Sequence, residues 1–254
     1  MAFGNADSYA RFMGRFSEPL APEFAHVVRD VRGRVLDVGC GPGVLTEVLV
    51  RRYSAKRVDA IDPTPGFVEA ARSRLPGVDV RLGTAEELPY ADGSYEVAFA
   101  QLVVHFMKDP VRGLSEMARV ARGGLVAACV WDHAGGRGPL SPFWDCAREL
   151  DPGAHRDADA SPGSTGGDLT RLFQEAGLVD IVEGTLSVTV SMASFDEWWA
   201  PYEEPVGSVG DYLATRTPEQ VAALKELCRT HLPDGPFDLT AVAWSATARS
   251  PSTR

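Results

Sequence analysis

The sequence predicts an α/β protein with a doubly wound, mostly parallel sheet of seven strands, and three observations support this prediction. Short runs of β-branched residues alternate with stretches of helical period between residues 34 and 132. Such alternation requires crossover connections, which place helices on both faces of a parallel sheet. A glycine-rich turn follows the first strand, and a helical region over residues 195–232 precedes a final strand.

The first half of the chain supplies most of these strands. Strands are predicted from short runs of β-branched residues, and helices from apolar residues that recur on one face of a helix. Because parallel strands share one direction, their carboxyl ends should meet at one edge of the sheet. In chain order the predicted elements are strand 35–38, helix 44–52, strand 58–61, helix 67–75, strands 78–82 and 97–102, helix 111–120 and strand 125–131.

The second half is less regular. Residues 133–167 are rich in glycine, proline, serine and aspartate, and they predict a long connection or flexible flap. A helix should then end at Gly177, and a long or kinked strand should follow over 178–190. The last helix starts at Thr217-Pro218-Glu219-Gln220, which combines a cap, a first-turn proline and a capping-box glutamine. Strand 239–248 closes the predicted sheet.

Composition and charge limit the classes of function. The 254 residues are 44% hydrophobic and 24% charged, which excludes a disordered segment, a collagen-like fibre and a coiled coil. A net charge of −10 repels the phosphate backbone and disfavours a nucleic-acid partner. Apolar runs such as 125–131 are far shorter than the roughly 18 residues that span a bilayer, and the charged N-terminal segment does not resemble a signal peptide. We therefore expect no membrane partner and a cytoplasmic location, and the oligomeric state stays open.

Cysteine and histidine usage gives no sign of a metal site. The four cysteines lie far apart, without a Cys-x-x-Cys pair, and no two of the five histidines have the close helical spacing of a zinc site. We expect no metal, and we expect buried or half-buried free thiols at Cys40, Cys129, Cys146 and Cys228.

The segment Asp37-Val38-Gly39-Cys40-Gly41-Pro42-Gly43 carries the strongest functional signal. A strand ends in a carboxylate, glycines then occupy alternate positions, and a helix begins. Glycine permits positive φ and close approach of the backbone to a ligand, and the start of a helix offers free N–H groups. This arrangement predicts a loop that binds a nucleotide-like ligand.

The spacing of the glycines argues against a dinucleotide. The dinucleotide fingerprint is G-x-G-x-x-G/A, whereas its last position falls on Val44 when counted from Gly39 and on Thr46 when counted from Gly41. The Asp37 carboxylate would also repel a pyrophosphate, and it suits a ligand with a positive end, such as an amino group or a sulfonium. A nicotinamide-dependent oxidoreductase is therefore the disfavoured alternative.

Three further segments follow predicted strands at the same edge of the sheet. Asp62 lies 19 residues after Gly43, where an α/β nucleotide site places the carboxylate that accepts hydrogen bonds from ribose hydroxyls. Segments 83–89 and 101–106 come after the next two strands. Open α/β sheets bind ligands at the carboxyl ends of their strands, so these segments predict one shared site.

With these motifs, residues 34–131 resemble the class I S-adenosylmethionine-dependent methyltransferases, in the branch that contains ubiquinone and menaquinone methyltransferases. The likeness includes the Asp-x-Gly-x-Gly-x-Gly loop, Asp62, segment 83–89, and Arg119-Val120-Ala121-Arg122-Gly123-Gly124 before a strand. It implies a Rossmann-like sheet with a C-terminal antiparallel strand. It further implies the following organisation: one methyltransferase domain over 1–254, a cofactor-binding core over 34–132 and a helical lid insertion over 195–236.

The resemblance implies methyl transfer from S-adenosylmethionine, as the cofactor, to a small organic acceptor of apolar or aromatic character. A protein of this fold that binds the same cofactor and catalyses a cyclisation or rearrangement is the open alternative. Thr84 stands where the family often has Asp. The residues implied in cofactor binding are Asp37 and Gly39 at the methionine end, Gly41 and Gly43 in the loop, Asp62 at the ribose, Thr84, Ala85 and Glu86 at the adenine, Gln101 and Leu102 beneath the methionine, and the adjacent Cys40 and Pro63.

The substrate side is predicted from position. His105, at the carboxyl end of a strand beside the expected methyl group, is either a general base or a histidine that packs beneath the cofactor. Aromatic residues in the lid insertion would favour an apolar or aromatic acceptor, and the alternative for them is a place in the core. The N-terminal segment forms either a flap over the cofactor or a plain amphipathic helix. The candidate substrate-pocket residues are Tyr9, Met13, Arg15, His105, Trp131, Trp198, Trp199 and Tyr202.

Overall fold

The computed structural model describes residues 13–154, 161–204 and 207–252. In this part of the chain the strands form one seven-stranded sheet, and they are β1 (Val35–Val38), β2 (Val58–Asp62), β3 (Asp79–Leu82), β4 (Val97–Gln101), β5 (Leu125–Trp131), β6 (Val179–Met192) and β7 (Phe237–Arg249). The strand order is β3-β2-β1-β4-β5-β7-β6. Strands β1 to β5 pair in parallel, and β7 runs antiparallel to both β5 and β6. The predicted sheet is confirmed.

Helices cover both faces of this sheet. In chain order they are α1 (Arg15–Ala25), α2 (Val44–Tyr53), α3 (Pro65–Arg74), α4 (Pro110–Val120), α5 (Ser141–Leu150), α6 (Asp168–Glu175), α7 (Phe195–Trp199), α8 (Gly207–Ala214) and α9 (Pro218–His231). Short 3₁₀ turns occupy Ala55–Arg57, Val104–Phe106 and Ala200–Glu203. None of the helices in the described ranges is both long and apolar enough to cross a bilayer.

The main buried side chains form two cores, one on each face of the sheet. Every residue of β1 and β2 is buried, as expected for parallel strands covered on both sides. Side chains alternate along a strand, so Trp131 of β5 belongs to one core and its neighbour Val130 to the other. The first core lies beneath α1, α2 and α5, and the second lies beneath α4 and α6.

In the second half of the chain, the helix ends and the strand predicted from local sequence signals are present in the structure. Gly177 has a φ of +80°, and the next amide, Leu178 N, donates to Phe173 O at 3.0 Å, which satisfies a carbonyl in the last turn of α6. Strand β6 is a single strand of 14 residues, the long form of the predicted strand, with a register shift near its start against β7. At the start of α9, Thr217 and Gln220 form the reciprocal capping box.

The prediction of a flexible flap over 133–167 is wrong for the part that forms α5. Phe143 is fully buried, and its ring centroid lies 5.3 Å from that of Tyr202 and 6.1 Å from that of Tyr212. The buried residues of α5 have helical spacing, but they occupy a single short stretch. Flanking glycines and prolines outweigh so short a pattern when the sequence is examined alone.

The N-terminal segment is an amphipathic helix from residue 15 onward. Phe16, Leu20 and Phe24 of α1 are buried in the first core, and Phe24 meets Phe99 of β4 edge-on at 5.8 Å between ring centroids. This packing holds α1 against the sheet next to the carboxyl ends of its central strands. The candidate residue Tyr9 lies outside the described residues.

Candidate active site

The carboxyl ends of β1 and β4 border a pocket, which we call the cofactor pocket because the sequence predicts the cofactor there. Ser17 of α1 also lines it, so the pocket joins β1, its following turn, β4 and α1. The structure therefore brings together residues that the sequence places far apart. The predicted cofactor residues that line this pocket are Asp37, Gly39, Cys40, Gly41, Gln101 and Leu102.

The turn between β1 and α2 requires glycine at Gly39. Its φ is +71°, and a Cβ built there would lie 2.5 Å from Cγ2 of Val103. The amides of Gly39 and Cys40 both donate to Ile61 O, at 2.8 and 3.0 Å, and this ties the turn to β2. The Gly39 amide is thus already bonded, and any contact of Gly39 with a ligand has to come from its carbonyl. Gly43, with a φ of +93°, precedes α2.

Asp37 is a buried carboxylate that lines the cofactor pocket. It is 1% exposed, and among the described residues its hydrogen-bond donor is the hydroxyl of Thr46, at 2.6 Å. Burial raises the pKa of Asp37 to about 7, and the nearby charge of Asp62 adds to the rise. No basic side chain in the described ranges pairs with it, so a cationic group in the pocket would stabilise its ionised form. Sequence reasoning missed Thr46, although its place in the first turn of α2 after the glycines was a usable signal.

Asp62 ends β2 beside the same turn. Its two carboxylate oxygens accept from Gly41 N at 2.9 Å and from Thr64 N at 2.8 Å. Burial raises the pKa of Asp62, while these backbone donors act in the opposite direction. Pro63 follows it directly at the strand end. Asp62 therefore fixes the conformation of the glycine loop through its hydrogen bond from Gly41 N. It lies at the end of the strand next to the one that carries Asp37, as predicted.

The segment predicted to contact adenine follows β3, outside the cofactor pocket. Gly83 N donates to Asp62 O at 3.0 Å, which places this segment against the end of β2. Thr84 is exposed and Ala85 is buried. The Glu86 carboxylate accepts from Lys108 N at 2.8 Å and from Asp109 N at 3.4 Å, so its side chain joins two loops at the edge of the sheet.

Two buried polar atoms in the cofactor pocket have no hydrogen-bond partner among the described residues. They are Oε1 of Gln101 and the hydroxyl of Ser17, although Gln101 Nε2 donates to Ser17 O at 3.1 Å. Leu102, next to Gln101, has a φ of +60°, a strained conformation for a non-glycine residue. Buried polar groups are ordinarily satisfied, so these atoms indicate that a polar ligand completes the pocket. Sequence reasoning missed Ser17, for which the sequence carries no distinct signal.

His105 lies in the 3₁₀ turn that follows β4. Its Nδ1 is buried without a partner in the described ranges, and its ring centroid lies 6.0 Å from that of His133. Burial, followed by the proximity of His133, lowers the pKa of His105 to about 3. The imidazole is therefore neutral near pH 7, and it is too weak a base to hold a proton there.

The candidate aromatic residues of the lid are all buried. Trp198 and Tyr202 meet edge-on at 5.0 Å between ring centroids, and Trp199 lies 6.0 Å from Phe143 of α5. The indole Nε1 of Trp199 donates to Glu203 at 2.9 Å. By contrast, the Nε1 atoms of Trp131 and Trp198 are buried without a partner within the described part of the chain.

Arg15 and Met13 lie at the start of the N-terminal helix, next to the lid. Nη1 of Arg15 lies 3.0 Å from the sulfur of Met192, and Nη2 lies 4.0 Å from Oε1 of Glu197. Met13 is partly buried and packs against the first core. The structure thus gathers Arg15 and the lid residues on the face of the sheet that also carries Trp131.

The four cysteines are free and buried, as the sequence predicts. Two of them are neighbours across α5 and α9, where Cys146 also has His231 Nδ1 at 3.4 Å from its sulfur. Within the described residues, no group of three or more His, Cys, Asp or Glu side chains is arranged to hold a metal ion.

Similarity to known proteins identifies the family to which this chain belongs. Residues 36–128 match a family described as a methyltransferase domain. A trans-aconitate 2-methyltransferase of Rhizobium etli is 31% identical over 188 residues, which are 70% of each chain. An uncharacterized methyltransferase of Mycobacterium bovis is 41% identical over 99 residues, which are 39% of this chain and 40% of that one.

Solved structures show the same fold. A SAM-dependent methyltransferase of Thermotoga maritima, described as a possible histamine N-methyltransferase, superimposes with a TM-score of 0.57 over 96% of this chain and 95% of its own, at 19% identity. A [4+2]-cyclase superimposes with a TM-score of 0.55 over 94% of this chain and 81% of its own, at 22% identity. Together with the glycine loop and the two carboxylates at successive strand ends, these similarities show that the chain belongs to the class I S-adenosylmethionine-dependent methyltransferases, with S-adenosylmethionine as its cofactor.

Proposed function

We propose that the protein transfers a methyl group from S-adenosylmethionine to a small organic acceptor with an apolar or aromatic body, and releases S-adenosylhomocysteine. The observation that carries this proposal is the buried Asp37 carboxylate, which faces the cofactor pocket without a cationic partner in the described residues. The ammonium group of the cofactor supplies the missing cation. The acceptor body is proposed from the buried aromatic side chains around Trp198 and Tyr202.

The cofactor residues are assigned from their positions along the strand ends. Asp37, the Gly39 carbonyl and Oε1 of Gln101 accept from the amino group of the methionine moiety, while the Ser17 hydroxyl donates to its carboxylate end. Asp62 accepts from the ribose hydroxyls. The adenine lies along Pro63 and segment 84–86, where Thr84 supplies a hydroxyl in place of the more usual carboxylate. Gly41, Gly43, Cys40 and Leu102 shape the wall of the pocket.

The bound sulfonium supplies an already activated methyl group, so the chain's own task is alignment and the exclusion of water. Buried lid aromatics exclude water from the acceptor side. Of the two roles predicted for His105, we propose the packing role, because its neutral, weakly basic imidazole cannot take a proton near pH 7. The ubiquinone-like branch stays a prediction, since the relatives are named for acceptors as different as trans-aconitate and a phytyl hydroquinone.

A second candidate function is a non-methylating reaction that uses the same cofactor, such as a cyclisation. The observation that favours it is the [4+2]-cyclase that shares this fold. Both functions need the cofactor pocket, and they differ in whether the methyl group leaves it.

The proposal also covers the domain organisation, the cellular location and the kind of partner. We propose one methyltransferase domain over 1–254, with a cofactor-binding core over 34–132 and a lid insertion over 195–236. Four unpaired cysteines, two of them adjacent, are typical of a reducing compartment, which supports a cytoplasmic location. The net charge of −10 supports a small molecule and not a nucleic acid as the partner.

Calorimetry first tests cofactor binding, and a labelled methyl donor then tests methyl transfer. We expect S-adenosylhomocysteine to release heat on binding to the purified full chain, and we expect label to move from S-adenosylmethionine to at least one member of an acceptor panel of acids, phenols and amines. Absence of binding heat would contradict the proposal. Binding with retention of the methyl group, together with conversion of a panel member, would favour the cyclase-like function.

A further inference from the structure

Arg15 is a largely buried cation without a strong partner in the described residues. Its side chain is 25% exposed. The nearest acceptor is the thioether sulfur of Met192, at 3.0 Å, and a thioether accepts hydrogen bonds only weakly. The 4.0 Å separation from Glu197 is too long for a hydrogen bond. Arg15 therefore lacks the planar carboxylate partner that a guanidinium favours.

Glu197 does not fill that role because it is held by its own turn. Its Oε2 accepts from Ala193 N at 2.6 Å, and its backbone amide donates to the hydroxyl of Ser194, the N-cap of α7, at 3.2 Å. The Glu197 side chain is 44% exposed, so its charge is largely screened by solvent. A second carboxylate could thus replace the Met192 thioether as the partner of Arg15, and the buried Met192 side chain would move aside when it binds.

The buried side of Arg15 belongs to the acceptor region. Met192, Trp198 and Tyr202 share one core, and the charge of Arg15 acts on the buried Tyr202 hydroxyl. Trp198 Nε1 is a second buried donor without a partner in the described ranges. On the same helix, Ser17 lines the cofactor pocket. Arg15 therefore lies on the helix that borders the cofactor pocket, and through Met192 it contacts the core that contains the lid aromatics.

Neither His105 nor Tyr202 is an effective general base near pH 7. His105 is neutral with a pKa lowered to about 3, and burial raises the pKa of Tyr202 so that its hydroxyl keeps its proton. Phenols, ammonium groups and acidic carbons must lose a proton before they attack, so they would need such a base. A carboxylic acid is already ionised near pH 7 and needs none.

We infer that the acceptor is an apolar carboxylic acid, bound through its carboxylate by Arg15 and methylated on that carboxylate to a methyl ester; this inference rests on the proposed methyl transfer. A carboxylate oxygen provides the electron pair of the new oxygen–carbon bond. The sulfur–methyl bond breaks, its electron pair stays on sulfur, and the positive charge of the sulfonium and the negative charge of the carboxylate cancel. No proton has to leave or arrive.

Binding of matched probes to the full chain loaded with S-adenosylhomocysteine tests the recognition step. The probes are octanoate and trans-cinnamate, each compared with its primary amide by calorimetry. We expect an acid to bind at least ten times more tightly than its amide. Replacing a charged hydrogen-bonding partner should raise the Kd for the acid by about 10- to 100-fold in Arg15→Met. Arg15→Lys should recover part of this loss, because it keeps the charge but not the planar fork.

The control variant is Arg51→Met, which removes an exposed arginine from α2 and should leave the Kd unchanged. With labelled S-adenosylmethionine and the preferred acid, mild alkali should release the label as methanol, as expected for an ester. Equal binding of acid and amide, an unchanged Kd in Arg15→Met, or an alkali-stable product would overturn the inference. Failure to bind S-adenosylhomocysteine would remove the proposed function itself.

Discussion

Two parts of the molecule are built in different ways. Residues 35–62 form what we call the cofactor half, and α1, α5 and α7 to α9 form the half that we propose for the acceptor, the acceptor half. In the cofactor half, the backbone does most of the positioning: a strand ends, a turn follows, and Asp37 and Asp62 lie at fixed places on it. In the acceptor half, side chains from α1, α5 and α7 pack against one another around Phe143 and Trp198. One half is specified by local geometry and the other by long-range packing. Substitutions should therefore have different effects on stability and ligand binding in the two halves.

The largest effect is expected in the turn of the cofactor half. Gly39→Ala combines a positive φ with a Cβ 2.5 Å from Val103, whereas at Gly41 no heavy atom of the described residues lies within 4 Å of an added Cβ. Strain and overpacking together should lower the free energy of unfolding by about 3 kcal/mol in Gly39→Ala, against about 1 kcal/mol in Gly41→Ala. Urea denaturation measures both.

Binding of S-adenosylhomocysteine sharpens this prediction. Gly39→Ala should abolish binding heat under conditions where Gly41→Ala still binds, because only the first substitution displaces the turn from β2. Equal losses in the two variants would show that the turn is not set by steric contact at Gly39.

The second effect concerns two buried aspartates on neighbouring strands. Asp37 has no cationic partner in the described residues, whereas Asp59 pairs with Arg34 and accepts from the Tyr95 hydroxyl at 2.6 Å. The folded-state pKa of Asp37, about 7, lies above its ordinary value of 3.8, so the folded chain carries a burial penalty that grows as the pH rises from about 4 to 7 and then stays constant. This shift corresponds to at most about 4 kcal/mol.

Asp37→Asn should therefore stabilise the cofactor-free chain at pH 8 and have little effect at pH 4, while weakening the binding of S-adenosylhomocysteine. Asp59→Asn should do the opposite at pH 8 and lower the free energy of unfolding by about 1–3 kcal/mol, because it removes the charge of a buried carboxylate that pairs with the half-exposed Arg34 and accepts from the Tyr95 hydroxyl. Denaturant titrations at the two pH values measure both. Destabilisation by Asp37→Asn at pH 8 would mean that the carboxylate has an internal partner and is not reserved for a ligand.

The same contrast explains how much the sequence could predict. The strands, the glycine turn, Asp37 and Asp62 were predictable because short β-branched runs and strand-end carboxylates leave a local pattern. The helix α5 was not, because its four-residue buried face is shorter than the glycine- and proline-rich segment around it. Thr46 and Ser17 became visible only once α2 and α1 were placed against β1 and β4.

The third effect lies in the acceptor half and is smaller. Trp199 donates a hydrogen bond to Glu203, whereas the indole of its neighbour Trp198 has no partner in the described ranges. Replacement by Phe removes a similar volume at both positions, so the difference in the free energy of unfolding isolates the hydrogen bond. Trp199→Phe should be less stable than Trp198→Phe by about 1 kcal/mol in urea denaturation. The reverse order would show that the Trp198 indole is satisfied within the free protein.

The smallest effect is expected at His105, in the 3₁₀ turn that follows β4. If its neutral imidazole only packs beside the cofactor, His105→Asn should keep kcat within about fivefold, since it retains a polar group of similar reach, whereas loss of a general base would typically cost about 100-fold or more. The lowered pKa places the ionisation of His105 near pH 3, so this residue should contribute no inflection to kcat between pH 6 and 9. Turnover measured across that range in both proteins would decide the matter. A 100-fold loss with an inflection near pH 6 to 7 in the unmodified chain would restore the role of base, and the acceptor would then be a group that must lose a proton.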